Sequence, residues 1–110
     1  MVATYDDASI MLQLLRWSTE MNIDEAYSVI FDPEFDPNAT DTGNPVVGRI
    51  LMLGETIGAM VKHGVLNRDL VLDIFWADGI WKLVGPSALK VRESAGDARL
   101  YENFEALVTS

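Results

Sequence analysis

The sequence predicts an all-α fold, a compact bundle of five to six helices with a long acidic loop between the second and third helices. Apolar residues recur at helical spacing along most of the chain. Asn, Asp, Pro and Gly stand at positions where they cap or end helices. The chain has 110 residues, of which 49% are hydrophobic and 23% charged, which is typical of one soluble domain. We therefore expect residues 1–110 to form a single helical domain.

Two helices are predicted before the loop. Asp6 or Asp7 can cap the first helix, and its apolar stripe has the spacing i, i+4, i+7 and i+11. The residues of this stripe are Ile10, Leu14, Trp17 and Met21. Asp24 can cap a short second helix over residues 25–31. The residues that we expect this second helix to turn inward are Ala26, Val29 and Ile30.

A loop is predicted at about residues 32–44, where two prolines, a glycine and four acids interrupt the apolar pattern. It is longer than most connections within a domain. Its acids, which are candidate interaction residues, are Asp32, Glu34, Asp36 and Asp41. Alternating oxygen ligands would suit calcium, but an EF-hand needs Gly and Glu where this chain has Asp41 and Val47. A looser calcium site and a solvated loop remain as alternatives.

The third helix is predicted over Pro45–His63. Asn44 is a good cap, Pro45 suits the first helical position, and Gly64 suits the residue after the end. Because this segment is apolar on most sides, we place it at the centre of the bundle or in a subunit interface. Two further residues, Gly54 and Gly58, lie one turn apart and would let another helix pack closely.

The second half of the chain predicts two or three further helices. The run over residues 70–76 can be taken as a strand, but the cap before it favours a helix over residues 68–77. A fifth helix follows, with a kink expected at Pro86, and then a last helix. The residues that cap or end these helices are expected to be Asn67, Asp78, Gly96 and Asp97.

The charge of the chain limits its partners. It carries 17 acids and 8 bases, a net charge of −9, and residues 1–45 alone hold nine acids and one base. Such a protein is repelled by nucleic acids and by anionic membranes, so we expect it to bind neither directly. There is no cysteine for disulfides or thiolate chemistry. No export signal is recognised, and the longest apolar stretch is broken by Arg49 and Glu55, so a cytoplasmic location is expected.

Four short motifs in the second half occur in the order found in a known family. They are Gly54-Glu55-Thr56-Ile57-Gly58, Lys62-His63-Gly64-Val65-Leu66, Leu70-Val71-Leu72-Asp73 and the closing segment from Gly96 to Glu105. Over about residues 44–107, the chain resembles a widespread bacterial family of small helical proteins catalogued only as a domain of unknown function. The resemblance implies an all-helical fold and a bacterial source. It implies no activity, cofactor or catalytic residue.

Three titratable residues are candidates for a buried polar site. Glu55 and Asp73 interrupt apolar runs, so we expect them near the core, held in ion pairs or hydrogen bonds that fix helix packing. His63 is the one imidazole and is expected in the last turn of the third helix, where it can interact with the helix dipole. No catalytic or metal residue is assigned, and no cofactor is expected. The aromatic residues of the second half are expected mainly in the core: Phe75, Trp76, Trp81 and Tyr101.

The leading functional hypothesis is a non-enzymatic interaction module that forms a homodimer. It rests on the apolar third helix and on the limited surface that 110 residues bury alone. One alternative is an acidic inhibitor or nucleic-acid mimic that binds a basic partner protein through the acidic loop. The other is a small carboxylate enzyme or metal-binding protein built on Glu55, His63 and Asp73.

Overall fold

Six helices make up the fold in the computed structural model, which describes residues 2–38 and 44–109. The helices are α1 Tyr5–Glu20, α2 Ile23–Ile30, α3 Pro45–Lys62, α4 Arg68–Ile74, α5 Ala77–Ala95 and α6 Glu102–Thr109. These described ranges contain no strand. The radius of gyration is 13.8 Å, close to the roughly 13 Å of a compact chain of this length. The predicted all-α bundle is confirmed.

The central helix is α3, which packs against α2, α5 and α6. Asn44 caps it by accepting the N–H groups of Val46 and Val47, and Gly64 ends it in the left-handed region with φ of 72°. Five of its large side chains lie in the core: Val47, Ile50, Leu51, Leu53 and Ile57. The central position of α3 follows from the apolar residues that it carries on most of its sides, as the sequence predicted.

The cap of the first helix lies two or three residues earlier than predicted. Thr4 is the cap, and its hydroxyl accepts the N–H of Asp7 while the Asp7 carboxylate accepts the N–H of Thr4. This reciprocal pair is a capping box. The prediction of Asp6 or Asp7 as the cap is therefore wrong, because a Thr followed three residues later by an acid satisfies two N–H groups at once.

The buried face of α1 is also rotated from the predicted stripe. Its buried residues are Met11, Leu14 and Ser18. Only Leu14 belongs to the predicted set, while Ile10, Trp17 and Met21 are half-buried. Similarly, α2 buries Ile23, Ala26 and Ile30 and leaves Val29 exposed, because the narrow buried face of this short helix does not reach Val29. Half-buried apolar residues along α1 leave an open groove beside α3, described below.

The connection between α4 and α5 differs from the prediction. Helix α4 ends at Ile74, three residues early, and Phe75 and Trp76 join it to α5. The next helix continues through Pro86 and ends at Gly96, which has a left-handed φ of 67°. None of the described helices combines the length and apolar character needed to span a bilayer.

The last helix begins at Glu102, not directly after Asp97. The Asp97 carboxylate instead accepts the N–H of Arg99 at 2.9 Å in a turn, and Tyr101 has a left-handed φ of 59°. The prediction that Asp97 caps this helix is therefore wrong. The first N–H groups of α6 donate to a side chain from α3. Such a long-range partner cannot be identified from the local sequence.

Candidate interaction surfaces

Glu55 lies at the contact between α3 and α6. Its Oε1 accepts the backbone N–H groups of Asn103 and Phe104 at 2.9 and 3.0 Å, and its Oε2 accepts the Asn103 side-chain amide at 2.8 Å. The first N–H groups of a helix have no partner within it, and a carboxylate also complements the helix dipole. Glu55 thus caps α6 from a neighbouring helix.

Gly54 and Gly58 flank this carboxylate and explain the close approach. A methyl group at Gly54 would overlap the ring of Phe104, and one at Gly58 would overlap the backbone carbonyl of Asn103. The motif in which two glycines enclose Glu55 therefore places α6 directly against α3. Its role in the structure is to join these two helices.

The other two members of the expected buried polar site lie elsewhere. His63 and Asp73 are both exposed, so the expectation of burial is wrong for them. His63 follows the last residue of α3, where the chain turns into solvent. Asp73 lies on α4, a seven-residue helix that buries only Val71. Within residues 2–38 and 44–109, no three His, Asp or Glu side chains are grouped so that they could hold a metal ion.

A second polar connection joins α5 to α6. Arg92 donates from Nε to the carbonyl of Leu100 at 2.6 Å, and its Nη1 lies 3.1 Å from the Glu105 carboxylate. This largely buried guanidinium holds the turn before α6 in place. Sequence reasoning missed Arg92, although a basic residue on a helix one turn before its glycine end is a usable signal.

The start of the acidic loop contains two local turns. The Asp32 carboxylate accepts the N–H of Glu34 at 2.8 Å, and the Asp36 carboxylate accepts the N–H of Asn38 at 2.9 Å. Asp32, Glu34 and Asp36 are all exposed. The fourth acid named above, Asp41, lies outside the described residues. Asp32, Glu34 and Asp36 thus face solvent after the end of α2.

An apolar groove lies between α1 and α3, and we call it the α1–α3 groove. It encloses about 570 Å³. Its walls are formed by Ile10, Gln13, Leu14, Trp17, Met52, Thr56, Met60 and Val65. Met52 and Val65 are about half exposed, at 51% and 50%. None of the lining side chains carries a charge, so this is a neutral surface on a strongly acidic protein.

Another apolar region lies at α2 and the α4–α5 connection, and we call it the aromatic surface. It consists of Leu15, Tyr27, Phe31, Ile74 and Trp76. The rings of Phe31 and Trp76 stack at 6.0 Å, and those of Tyr27 and Phe31 lie 5.9 Å apart. Leu15, Tyr27 and Ile74 line one cleft of about 280 Å³. The surface is therefore continuous from α1 to Trp76.

Trp76 is the main departure from the expected aromatic core. It is 65% exposed, and Phe31 is 45% exposed, whereas Phe75 is buried. The short α4 ends before Trp76, so this side chain does not belong to the apolar stripe of that helix. Its indole packs over Gly79 at the start of α5. A Trp between two helices, off both apolar stripes, is the sequence signal that would have marked this surface.

Acidic side chains border the aromatic surface. Asp24 lines the same cleft as Tyr27. Burial raises the pKa of the Tyr27 phenol, and the nearby Asp24 carboxylate raises it further. Asp32 follows Phe31 directly, Asp73 precedes Ile74 directly, and both acids are exposed.

Comparison with known protein families gives a match over residues 15–110 to a domain of unknown function, DUF4760. Comparison with curated proteins gives no match, and comparison with solved structures gives none either. The matched region includes every residue of the aromatic surface, whereas the part of the α1–α3 groove before residue 15 lies outside it. Because the match covers 96 of the 110 residues, the chain belongs to this family, catalogued only as a domain of unknown function.

Proposed function

We propose that this protein is a non-enzymatic interaction module that forms a homodimer through the α1–α3 groove. The observation that carries this proposal is a groove that is open, apolar and free of charged lining residues. Met52, Thr56 and Met60 follow one another at intervals of four along α3, so they form one continuous stripe on its outer side. Two copies related by a two-fold axis would place these stripes against each other.

The net charge of the chain favours this surface for contact between copies. Each copy carries −9, and burying carboxylates against those of a second copy is costly. A neutral groove lets apolar side chains meet without removing charged groups from water. Eight residues line the groove, fewer than the roughly 20–30 residues that each partner contributes to a standard interface, so we expect a dissociation constant in the micromolar range.

Sedimentation equilibrium over a range from about 1 to 500 µM tests the proposal, around the expected affinity. Met52→Glu should make the protein monomeric, because two carboxylates would enter the interface. Leu89→Glu is the matched control, since Leu89 lies on α5 outside the groove and is 52% exposed against 51% for Met52. Added salt should strengthen the wild-type dimer by screening the repulsion between copies.

Two results would contradict the proposed dimer. One is a wild-type protein that stays monomeric over the whole concentration range. The other is a dimer that Met52→Glu and Leu89→Glu weaken equally, which would place the interface away from the groove.

A further inference from the structure

We propose that the aromatic surface is a docking site for a basic amphipathic helix of a partner protein. The surface is distinct from the α1–α3 groove, and the inference does not depend on the proposed dimer. Phe31 and Trp76 expose stacked rings, and large aromatic side chains of this kind supply much of the binding energy at protein interfaces. The adjoining cleft, lined by Leu15, Tyr27 and Ile74, is where an aliphatic side chain of the partner would insert.

The cleft has room for a side chain inserted by a partner, since its volume is about 280 Å³. An amphipathic helix uses such a cleft by placing one or two of its apolar residues in it and laying the same face along the neighbouring rings. The stacked rings of Phe31 and Trp76 supply that adjoining apolar surface.

Charge determines which kind of helix fits. Asp24 lines the cleft, and Asp32 and Asp73 are exposed residues next in the chain to Phe31 and Ile74. None of these three acids forms an ion pair with a Lys or Arg in residues 2–38 and 44–109. Other acids nearby are already paired within the protein: Glu20 with Arg16, Glu25 with Arg49, and Asp78 with Lys82. The negative charge of these acids is therefore not neutralised by an ion pair among the described residues, and it favours a positively charged partner.

The same three carboxylates argue against other occupants. A symmetric contact with a second copy would bring the acids Asp24, Asp32 and Asp73 of both copies to one interface, and like charges would oppose association. Nucleic acid phosphates would be repelled in the same way. A helix with Leu or Ile on one face and Lys or Arg at its flanks meets both the apolar and the acidic requirements.

The test uses a synthetic peptide of about 18 residues, or five turns, built from Leu and Lys with all Leu on one face. A Leu/Glu peptide of the same pattern and a scrambled Leu/Lys peptide are the controls. Isothermal titration calorimetry measures binding to the full chain. We expect a micromolar dissociation constant for the patterned Leu/Lys peptide and at least tenfold weaker binding for both controls.

Variants of the protein locate the binding. Trp76→Ala should weaken binding about tenfold or more, and circular dichroism checks that it folds, as expected for an exposed side chain. The triple change of Asp24, Asp32 and Asp73 to Asn should weaken binding and flatten its dependence on salt. Met52→Glu and Glu93→Gln should leave binding unchanged, which separates this site from the proposed dimer interface.

Nuclear magnetic resonance gives a second readout that does not need a variant. The indole N–H of Trp76 should shift on addition of the Leu/Lys peptide, while that of the half-buried Trp81, which packs against Phe104, should not. Equal binding of the Leu/Glu peptide, unchanged affinity of Trp76→Ala, or no binding up to about 1 mM would overturn the proposal. So would a dimer that is lost in Trp76→Ala, since it would place a second copy on this surface.

Discussion

The cap that α3 supplies to α6 gives the sharpest test of the fold. Glu55→Ala removes the acceptor of two backbone N–H groups and of the Asn103 amide. A hydrogen bond to a charged group contributes about 1.5–3 kcal/mol, and loss of an ordinary helix cap costs about 0.5–2 kcal/mol. Because Glu55 is half-buried, water will satisfy part of the vacated site. We therefore expect a loss of about 2–3 kcal/mol in the free energy of unfolding.

Urea denaturation followed by circular dichroism measures this loss, and a thermal melt should show a decrease of about 10 °C in Tm. Glu55→Gln keeps one acceptor oxygen for the backbone N–H groups and should cost only about 1 kcal/mol. Glu93→Ala is the control, because Glu93 is an exposed acid on α5 and should change stability by less than about 0.5 kcal/mol.

A double-mutant cycle with Asn103→Ala separates the side-chain amide from the backbone contacts. We expect a coupling of about 1 kcal/mol between Glu55 and Asn103. The reasoning is refuted if Glu55→Ala is no more destabilising than Glu93→Ala, because the carboxylate would then contribute nothing to the position of α6.

Two further predictions concern packing and pH. Gly58→Ala should destabilise the protein by about 1–3 kcal/mol through overpacking. Gly48→Ala, which places no atom within 4 Å of the added methyl group, should instead stabilise α3 by about 0.5–1 kcal/mol. Equal effects of the two changes in urea denaturation would contradict the close contact between α3 and α6. The pKa of Asp7 is lower than its ordinary value of 3.8, chiefly because its carboxylate accepts the backbone N–H of Thr4. The ionised carboxylate therefore stabilises the fold above about pH 4, and this effect is lost as the pH falls through the lowered pKa. Thermal melts should therefore show that the stability advantage of the wild type over Asp7→Asn shrinks on acidification below about pH 4, and a constant difference from pH 7 to pH 2.5 would contradict this.

The parts of the fold that depend on local chemistry were predictable from the sequence. Asn44 and Asn67 cap α3 and α4 with their own side chains, and Gly96 ends α5 in the conformation that glycine favours. The start of α6 was not predictable in this way, because Glu55 caps it from 48 residues away along the chain. Local residues at that point, such as Asp97, offer a plausible cap that the tertiary structure does not use.

The exposed surfaces were harder to predict than the core for a related reason. A helical stripe shows that a face is apolar, but not whether another part of the same chain covers it. Met52 shows the difference, since it lies on an apolar segment of α3 yet is half exposed beside α1. Trp76 was expected in the core together with the other aromatic residues of the second half, but α4 ends two residues before it. Only the packing of the helices shows which apolar residues remain open to a partner.

The uneven charge of the sequence has a physical counterpart in the fold. In the second half, charged groups hold helices together: Glu55 caps α6, and Arg92 pairs with Glu105. Residues 1–45 contain nine acids and one base. Of these acids, Asp24 and Asp32 have no basic partner in residues 2–38 and 44–109. Charges that no basic side chain neutralises still act on other molecules at long range. Together with the adjoining exposed rings, these charges are the reason why we propose a basic partner for the aromatic surface, whereas we propose a second copy for the neutral groove.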